Sequence, residues 1–149
     1  MTIRMNDLPN NIFIPDLPEI YQIEVSRKCN LSCPMCPRKL FCRKDETEFI
    51  DINLIDKLIK EGSLEGSYFI ELQMSGEPTL HPQLDKIINK LKPFVAIGLS
   101  TNGTNLDLDC LFDLDYVTIN YNAIENDDTA LDRIKRFVNK AYRHGKPHV

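Results

Sequence analysis

The sequence lacks three features that would place it in other protein classes. It has no run of the roughly 18 apolar residues that a membrane span needs. Its first residues, MTIRMNDLP, lack the apolar core of a secretory signal peptide. Lys and Arg total 18 against 22 Asp and Glu, and they form no basic cluster. We therefore expect a cytoplasmic protein that engages neither membranes nor nucleic acid.

The composition is that of one globular domain. The 149 residues are 42% hydrophobic and 27% charged, which suffices for a core and excludes disordered and fibrous classes. Residues 1–19 carry three prolines and no sustained period, so they are predicted to form an extended lead-in. Residues 20–149 are predicted to form the domain.

Short apolar runs alternate with helical patterns along this domain. Strands are predicted over residues rich in β-branched or aromatic side chains, at 20–26, 69–74, 94–99 and 116–120. Helices are predicted at 52–59, 82–91 and 129–144, with a short, weak one at 108–114. Four successive βα units predict an α/β fold with a parallel sheet. The sheet is either open and doubly wound or part of a (β/α) barrel.

Caps and apolar spacing define the predicted helices. Asp51 is the expected N-cap of the first helix, and Asp128 or Thr129 caps the last one, which Gly145 ends. The inward faces are predicted to be Leu84, Ile87, Ile88 and Leu91 in one helix, and Leu131, Ile134, Val138 and Ala141 in the last. Glu24, Glu71 and Gln73 are polar residues within predicted strands, where they either line a barrel lumen or face solvent at an edge.

The cysteines carry the clearest chemical signal. Of five, Cys29, Cys33 and Cys36 lie within eight residues in a C-x3-C-x2-C pattern that follows the first strand. An odd count without a secretion signal disfavours a disulfide framework. Three thiolates on one loop can bind three irons of a cubane cluster and leave the fourth iron open. The alternative is a closed zinc or four-cysteine site completed by Cys42, whereas Cys110 is expected in the core.

With these residues the sequence resembles the radical S-adenosylmethionine (radical SAM) superfamily, and most closely its SPASM and peptide-maturase branch. The segment CNLSCPMCPR carries the cysteine motif, and SGEP at 75–78 matches the family's GGEP with Ser for the first Gly. STNG at 100–103 resembles its common TNG turn. Asn120 ends the fourth predicted strand, where the family often places a polar ribose contact. The resemblance covers about residues 20–149.

The resemblance implies a partial (β/α) barrel with about four of the family's six βα units. It implies a [4Fe–4S] cluster on Cys29, Cys33 and Cys36, which are then metal ligands and catalytic residues at once. S-adenosylmethionine would bind the open iron and be cleaved reductively to a 5′-deoxyadenosyl radical that abstracts hydrogen from a substrate. The expected cofactor contacts are Met35, Gly76, Glu77, Thr101 and Asn120. For Glu77 two roles are open, a contact to the methionyl ammonium or a brace for its loop.

The resemblance also has departures. Met35 occupies a position that is commonly aromatic in the family, and the family's contacts on strands five and six have no counterpart. Residues 146–149 read as the opening of a fifth strand, so we expect a chain truncated after the fourth unit or a short version with protected edges.

The implied partners are of three kinds. They are a peptide or small-molecule substrate, an electron donor such as flavodoxin or ferredoxin, and a second copy or a barrel-completing partner. Two other functions stay open. One is a non-catalytic iron–sulfur protein for electron transfer or structure, and the other is a zinc-stabilised binding module.

Overall fold

A computed structural model describes residues 20–41 and 48–149, so the predicted lead-in and Cys42 lie outside the described residues. Four parallel strands form one sheet, namely β1 (Ile20–Ile23), β2 (Phe69–Leu72), β3 (Ala96–Thr101) and β4 (Tyr116–Ile119). The α-helices are α1 (Arg38–Phe41), α2 (Ile52–Lys60), α3 (Leu84–Leu91) and α4 (Ala130–His144). The predicted α/β class with a parallel sheet is confirmed.

The strand order decides between the two shapes that the sequence allowed. In the described sheet the order is β1-β2-β3-β4, so neighbours in space are also neighbours along the chain. In a doubly wound sheet the order of the strands reverses at a switch point, whereas in a (β/α) barrel successive strands of the chain lie side by side. The sheet is therefore that of a partial barrel. A single parallel bridge between Tyr116 and His148 continues it beyond β4, where the opening of a fifth strand was predicted.

One face of the sheet is covered by the helices and carries the core. Ile70 and Leu72 of β2 pair in register with Ile97 and Leu99 of β3, and all four side chains are buried. α3 contributes its apolar stripe to the same core. The predicted inward residues of this helix are all buried, namely Leu84, Ile87, Ile88 and Leu91. Because side chains alternate along a strand, the residues between these point to the opposite face of the sheet. In the described part of the chain, no helix has the length and apolar character of a membrane span.

The inward face of α4 differs from the prediction at two of its four residues, whereas Ala141 is buried and Ile134 packs against the core. Ala130, Phe137 and Ala141 are buried, whereas Leu131 and Val138 are 48% and 38% exposed. The predicted inward positions of Leu131 and Val138 are therefore wrong. The physical reason is that the aromatic ring of Phe137 packs against Phe112 and brings the stripe through 130, 137 and 141 to the core, so that Leu131 instead lines a groove beside β4.

The ends of the helices follow the predicted caps, with one exception. The Asp51 carboxylate accepts a hydrogen bond from Asn53 N at 2.9 Å, and Gly145 ends α4 with a φ of 74°. At the start of α4 Thr129 occupies the N-cap position, as predicted, but its side chain makes no cap bond. Asp127 accepts hydrogen bonds from the backbone and hydroxyl of Thr129 and from Arg133. These bonds, that from the Thr129 hydroxyl first, lower the pKa of Asp127 to about 2.

The other differences concern boundaries. β1 ends at Ile23, and Ser26 instead forms an antiparallel bridge with Phe49. β3 lies two residues later than predicted, and the weak helix at 108–114 is a 3₁₀ helix over Asp109–Asp113.

Candidate functional site

A cavity of about 480 Å³ lies at the carboxyl ends of the four strands, the edge at which (β/α) barrels carry their active sites. Four loops contribute to it, because parallel strands end at the same edge of a sheet. All the site residues predicted from the sequence line this one cavity: Cys29, Cys33, Met35, Cys36, Gly76, Glu77, Thr101 and Asn120. The fold thus gathers motifs that are spread over about 90 residues of chain.

The three cysteines are free thiols of intermediate exposure on the loop that follows β1. The backbone turns back between two of them, where Cys36 N donates to Cys33 O at 3.2 Å. Within residues 20–41 and 48–149, no three Cys, His, Asp or Glu side chains are gathered closely enough to hold an ion. The donor set nevertheless suits an iron–sulfur cluster, since three thiols line a single cavity that has room beside them.

Two hydrogen bonds fix the point at which the cysteine loop leaves β1. Glu77 N donates to Lys28 O at 2.7 Å, and Arg38 Nε donates to Arg27 O at 2.8 Å. The first bond ties the loop to the SGEP segment after β2, and the second ties its start to α1. The backbone just before Cys29 is therefore anchored both to the SGEP segment and to the start of α1.

Glu77 is 2% exposed, and its carboxylate is directed into the protein. One oxygen accepts hydrogen bonds from Thr79 N at 3.1 Å, from Thr79 Oγ1 at 2.7 Å and from Thr101 Oγ1 at 2.7 Å. The other accepts from Asn102 N at 2.7 Å. Such bonds to a carboxylate are short and strong. In this structure the carboxylate thus braces the loop after β2 against the end of β3.

Thr101 completes the same buried cluster. Its hydroxyl donates to Glu77 and accepts from Gly103 N at 3.1 Å, and the residue is 3% exposed. Gly103 has a φ of 75°, a left-handed conformation that favours glycine in the TNG turn. Thr101 therefore shapes the turn from inside, and the turn presents Asn102 towards the cysteine loop.

The absence of a side chain at Gly76 serves the packing of two loops. A Cβ atom at this position would overlap the carbonyl oxygen of Ser26 and crowd the backbone of Arg27. The sequence suggested a close approach of Gly76 to a ligand, and the close neighbour in this structure is the chain that leads to Cys29. Gly76 lets the SGEP loop lie directly against that segment.

We expect Gly76→Ala to destabilise the protein by at least about 2 kcal/mol, because a Cβ atom cannot be accommodated against fixed backbone. Gly66→Ala is the matched control. Gly66 has a φ of 78° with no atom within 4 Å of an added Cβ, so its replacement costs only the backbone strain, about 1 kcal/mol. Urea unfolding of both variants measures the difference. A cost at Gly76 no greater than that at Gly66 would contradict the packing role.

The segment before Gly76 is held by a residue that the sequence did not single out for the site. The Glu24 carboxylate accepts hydrogen bonds from the backbone and hydroxyl of Ser75, and its other oxygen accepts from Arg27 Nε at 3.1 Å. Ser75 stands where the family motif has glycine. The hydroxyl that this replacement adds has a structural partner in the Glu24 carboxylate. Nothing in the local pattern indicates this contact, since the two residues are 51 positions apart.

The rim of the cavity combines apolar and polar groups. Met35 and Met74 are exposed at 82% and 69%, and the exposed Asn120 lines the cavity at the end of β4. Asn120 N donates to Thr101 O at 2.9 Å, which fixes its backbone at the edge of the cavity. The rim thus offers thioethers suited to a flat apolar group and an amide suited to hydroxyl groups.

Cys110 lies apart from this cavity, beside Leu84, Asp85 and Leu108. Burial raises the pKa of the Cys110 thiol to about 11, and the carboxylate of Asp85 adds to the effect. A thiol that stays protonated is a poor metal ligand. Its packing against the hydrophobic core agrees with the structural role that the sequence predicts.

The comparisons with known proteins agree with one another. Residues 23–147 match a model of the Radical SAM superfamily. A probable GTP 3′,8-cyclase of Pyrococcus horikoshii is 34% identical over 86 residues, covering 57% of this chain and 27% of the relative. A tungsten-containing aldehyde ferredoxin oxidoreductase cofactor-modifying protein of Pyrococcus furiosus is 34% identical over 98 residues. The match covers 62% of this chain and 26% of that relative. The chain thus spans about a quarter of the length of these relatives.

Two solved structures share the fold. BtrN in complex with AdoMet and 2-DOIA superposes with a TM-score of 0.60 at 21% identity, over 82% of this chain and 56% of BtrN. Streptococcus suis SuiB bound to precursor peptide SuiA superposes with a TM-score of 0.54 at 16% identity, over 68% of this chain and 23% of SuiB. The family match extends over most of the chain and includes all four motifs. The chain belongs to the radical SAM superfamily, whose members use a [4Fe–4S] cluster and S-adenosylmethionine.

Proposed function

We propose that Cys29, Cys33 and Cys36 hold a [4Fe–4S] cluster and that the cavity beside them binds S-adenosylmethionine for a radical reaction on a further substrate. The observation that carries the proposal is the meeting of all four family motifs in one cavity. When bound, the reduced cluster and S-adenosylmethionine supply a 5′-deoxyadenosyl radical that abstracts a hydrogen atom from the substrate.

Among the described residues the donor set fits a cluster with an open iron, and Cys42, the candidate for closing the site, lies outside them. Three thiols line the cavity, and Cys110 lies elsewhere with a thiol that resists ionisation. Among the described residues the remaining lining consists of neutral polar, apolar and backbone groups, together with Glu77, whose carboxylate is already engaged. Three protein ligands leave one coordination position for a small molecule, as in catalytic metal sites.

The chain's own groups have separate tasks in this proposal. The buried Glu77 and the Glu24 carboxylate hold the SGEP loop, so that its backbone forms one wall of the cavity. Asn120 lines the cavity, and its amide suits the hydroxyls of a ribose. Met35 suits the face of an adenine ring, and its exposed thioether would lose water on contact.

We further propose that the substrate is a peptide or a small molecule and that the electron comes from a flavodoxin or a ferredoxin. Among proteins that share the fold, the SuiB structure contains a precursor peptide and the BtrN structure contains 2-DOIA, so a peptide and another type of ligand can each bind to this scaffold. Free thiols of the kind found here are typical of a reducing compartment, which supports a cytoplasmic site of action.

The test is electron paramagnetic resonance of the anaerobically reconstituted, dithionite-reduced protein. We expect S-adenosylmethionine to change the spectrum, because the ligand would occupy a position on the open iron. Adenosine lacks the amino and carboxylate groups needed for chelation and is the matched control, for which no change is expected. A reduced cluster with an unchanged spectrum would favour a non-catalytic iron–sulfur protein. Zinc in place of iron would favour the binding module.

A further inference from the structure

The TNG turn reaches across to the cysteine loop through one side chain. The Asn102 side-chain nitrogen Nδ2 lies 3.8 Å from Cys29 Sγ and donates a hydrogen bond to it. The same nitrogen donates to Asn30 Oδ1 at 2.9 Å. Asn102 and Cys29 are 73 residues apart, so the contact joins the end of β3 to the loop after β1.

The orientation of the Asn102 amide follows from its other contacts. Its Oδ1 faces Thr104 N at 3.0 Å and Thr104 Oγ1 at 2.7 Å. A backbone N–H can only donate, so the atom that faces it must be the oxygen. The atom that faces the sulfur is therefore the NH₂ group. Asn30 Nδ2 donates to Thr104 Oγ1 at 2.9 Å, which closes a ring of three side chains.

The backbone of Asn102 is fixed as firmly as its side chain. Asn102 N donates to the buried Glu77 carboxylate at 2.7 Å. Cys29 Sγ also lies 3.5 Å from Leu31 N, a second donor. The cysteine sulfur thus faces two N–H groups, one from the backbone of Leu31 and one from the Asn102 side chain, which Thr104 and Asn30 hold in place.

We propose that Asn102 is a positioning residue that donates an N–H···S hydrogen bond to Cys29 and thereby makes the bound cluster easier to reduce. The inference rests on the proposed function, because it requires the cluster on Cys29. Reduction adds one electron, supplied by a low-potential one-electron donor, and the added negative charge spreads onto the cysteine sulfurs. An N–H group directed at such a sulfur stabilises the reduced form more than the oxidised form. Hydrogen bonds to the sulfurs are among the factors that set the potentials of these clusters.

The test is a redox titration of the reconstituted protein with dithionite, without S-adenosylmethionine, followed by the electron paramagnetic resonance signal. At the midpoint potential of the parent, we expect Asn102→Ala to lower the ratio of reduced to oxidised cluster about tenfold, which is about 59 mV for a one-electron couple. Asn102→Asp keeps the acceptor facing Thr104, has no N–H group and adds a negative charge beside the cluster, so we expect a larger shift in the same direction.

Asn105→Ala is the matched control. It removes the same amide group three residues further along, where Asn105 Nδ2 donates to Thr79 O at 3.2 Å. We expect the parent midpoint in this variant. If the parent itself takes up no cluster, the proposed function fails, and the inference fails with it. If the parent takes up a cluster and each Asn102 variant that loads one has the parent midpoint, the inference alone is overturned.

Discussion

Replacing any one of Cys29, Cys33 and Cys36 with Ala is expected to abolish iron loading. All three thiols line one cavity, and each would supply one iron with its only protein ligand. Changes in groups that merely support a metal ligand cost about 10–100-fold in affinity, so loss of a ligand itself should cost at least as much. The measurement is iron and sulfide content per chain after anaerobic reconstitution, together with the visible absorption of the protein.

Two further cysteines serve as controls for this result. Cys110→Ala should leave iron loading intact, because this thiol lies beside Leu84 and Asp85 with a pKa of about 11. Cys42→Ala should also leave it intact, as the three-cysteine site predicts. Full loss of iron in the Cys42 variant would contradict the open-iron site and favour a closed four-cysteine site. Each variant is compared with the parent by circular dichroism so that loss of fold is recognised.

The sequence predicts the positions of the helices and strands well, because each of these elements has its own local period of apolar residues. The stripe over 84–91 repeats at helical spacing, and all four of its predicted apolar residues are buried. The α4 helix shows the limit of the method. Its sequence has apolar side chains on two adjacent faces, and the helical period alone does not say which face is buried. Leu131 and Val138 thus satisfy the helical period and are still exposed.

In the candidate site, too, the local motifs are predictable from the sequence and the contacts between distant residues are not. The cysteine spacing, the SGEP and TNG segments and Asn120 are local motifs, and the structure brings them to one cavity. The groups that support them are not local. Glu24 holds Ser75 from 51 residues away, and Asn102 reaches Cys29 across 73 residues. Such contacts depend on which strands end side by side, and a single sequence does not state that order.

The role of Glu77 can be decided by a change of one atom. We expect Glu77→Gln to destabilise the protein by about 2–3 kcal/mol, the worth of a hydrogen bond to a buried charged group. With the amide oxygen kept towards Thr79 and Thr101, the new NH₂ group would face Asn102 N, which is also a donor and lies 2.7 Å from the present oxygen. Two donors in contact cannot bond, and the end of β3 would lose its anchor. Urea unfolding of the cluster-free chain measures the effect.

Glu71→Gln is the control for the same chemical change on the neighbouring strand. Glu71 is only partly buried and accepts a hydrogen bond from Ser100 Oγ at 2.7 Å, so the amide oxygen can replace the carboxylate there at a cost below about 1 kcal/mol. A Glu77→Gln protein as stable as the parent that no longer changes its spectrum with S-adenosylmethionine would contradict the brace. That result would assign the carboxylate to the methionyl ammonium instead. Lower stability with a retained spectral response, by contrast, is what four internal donors around one buried carboxylate require.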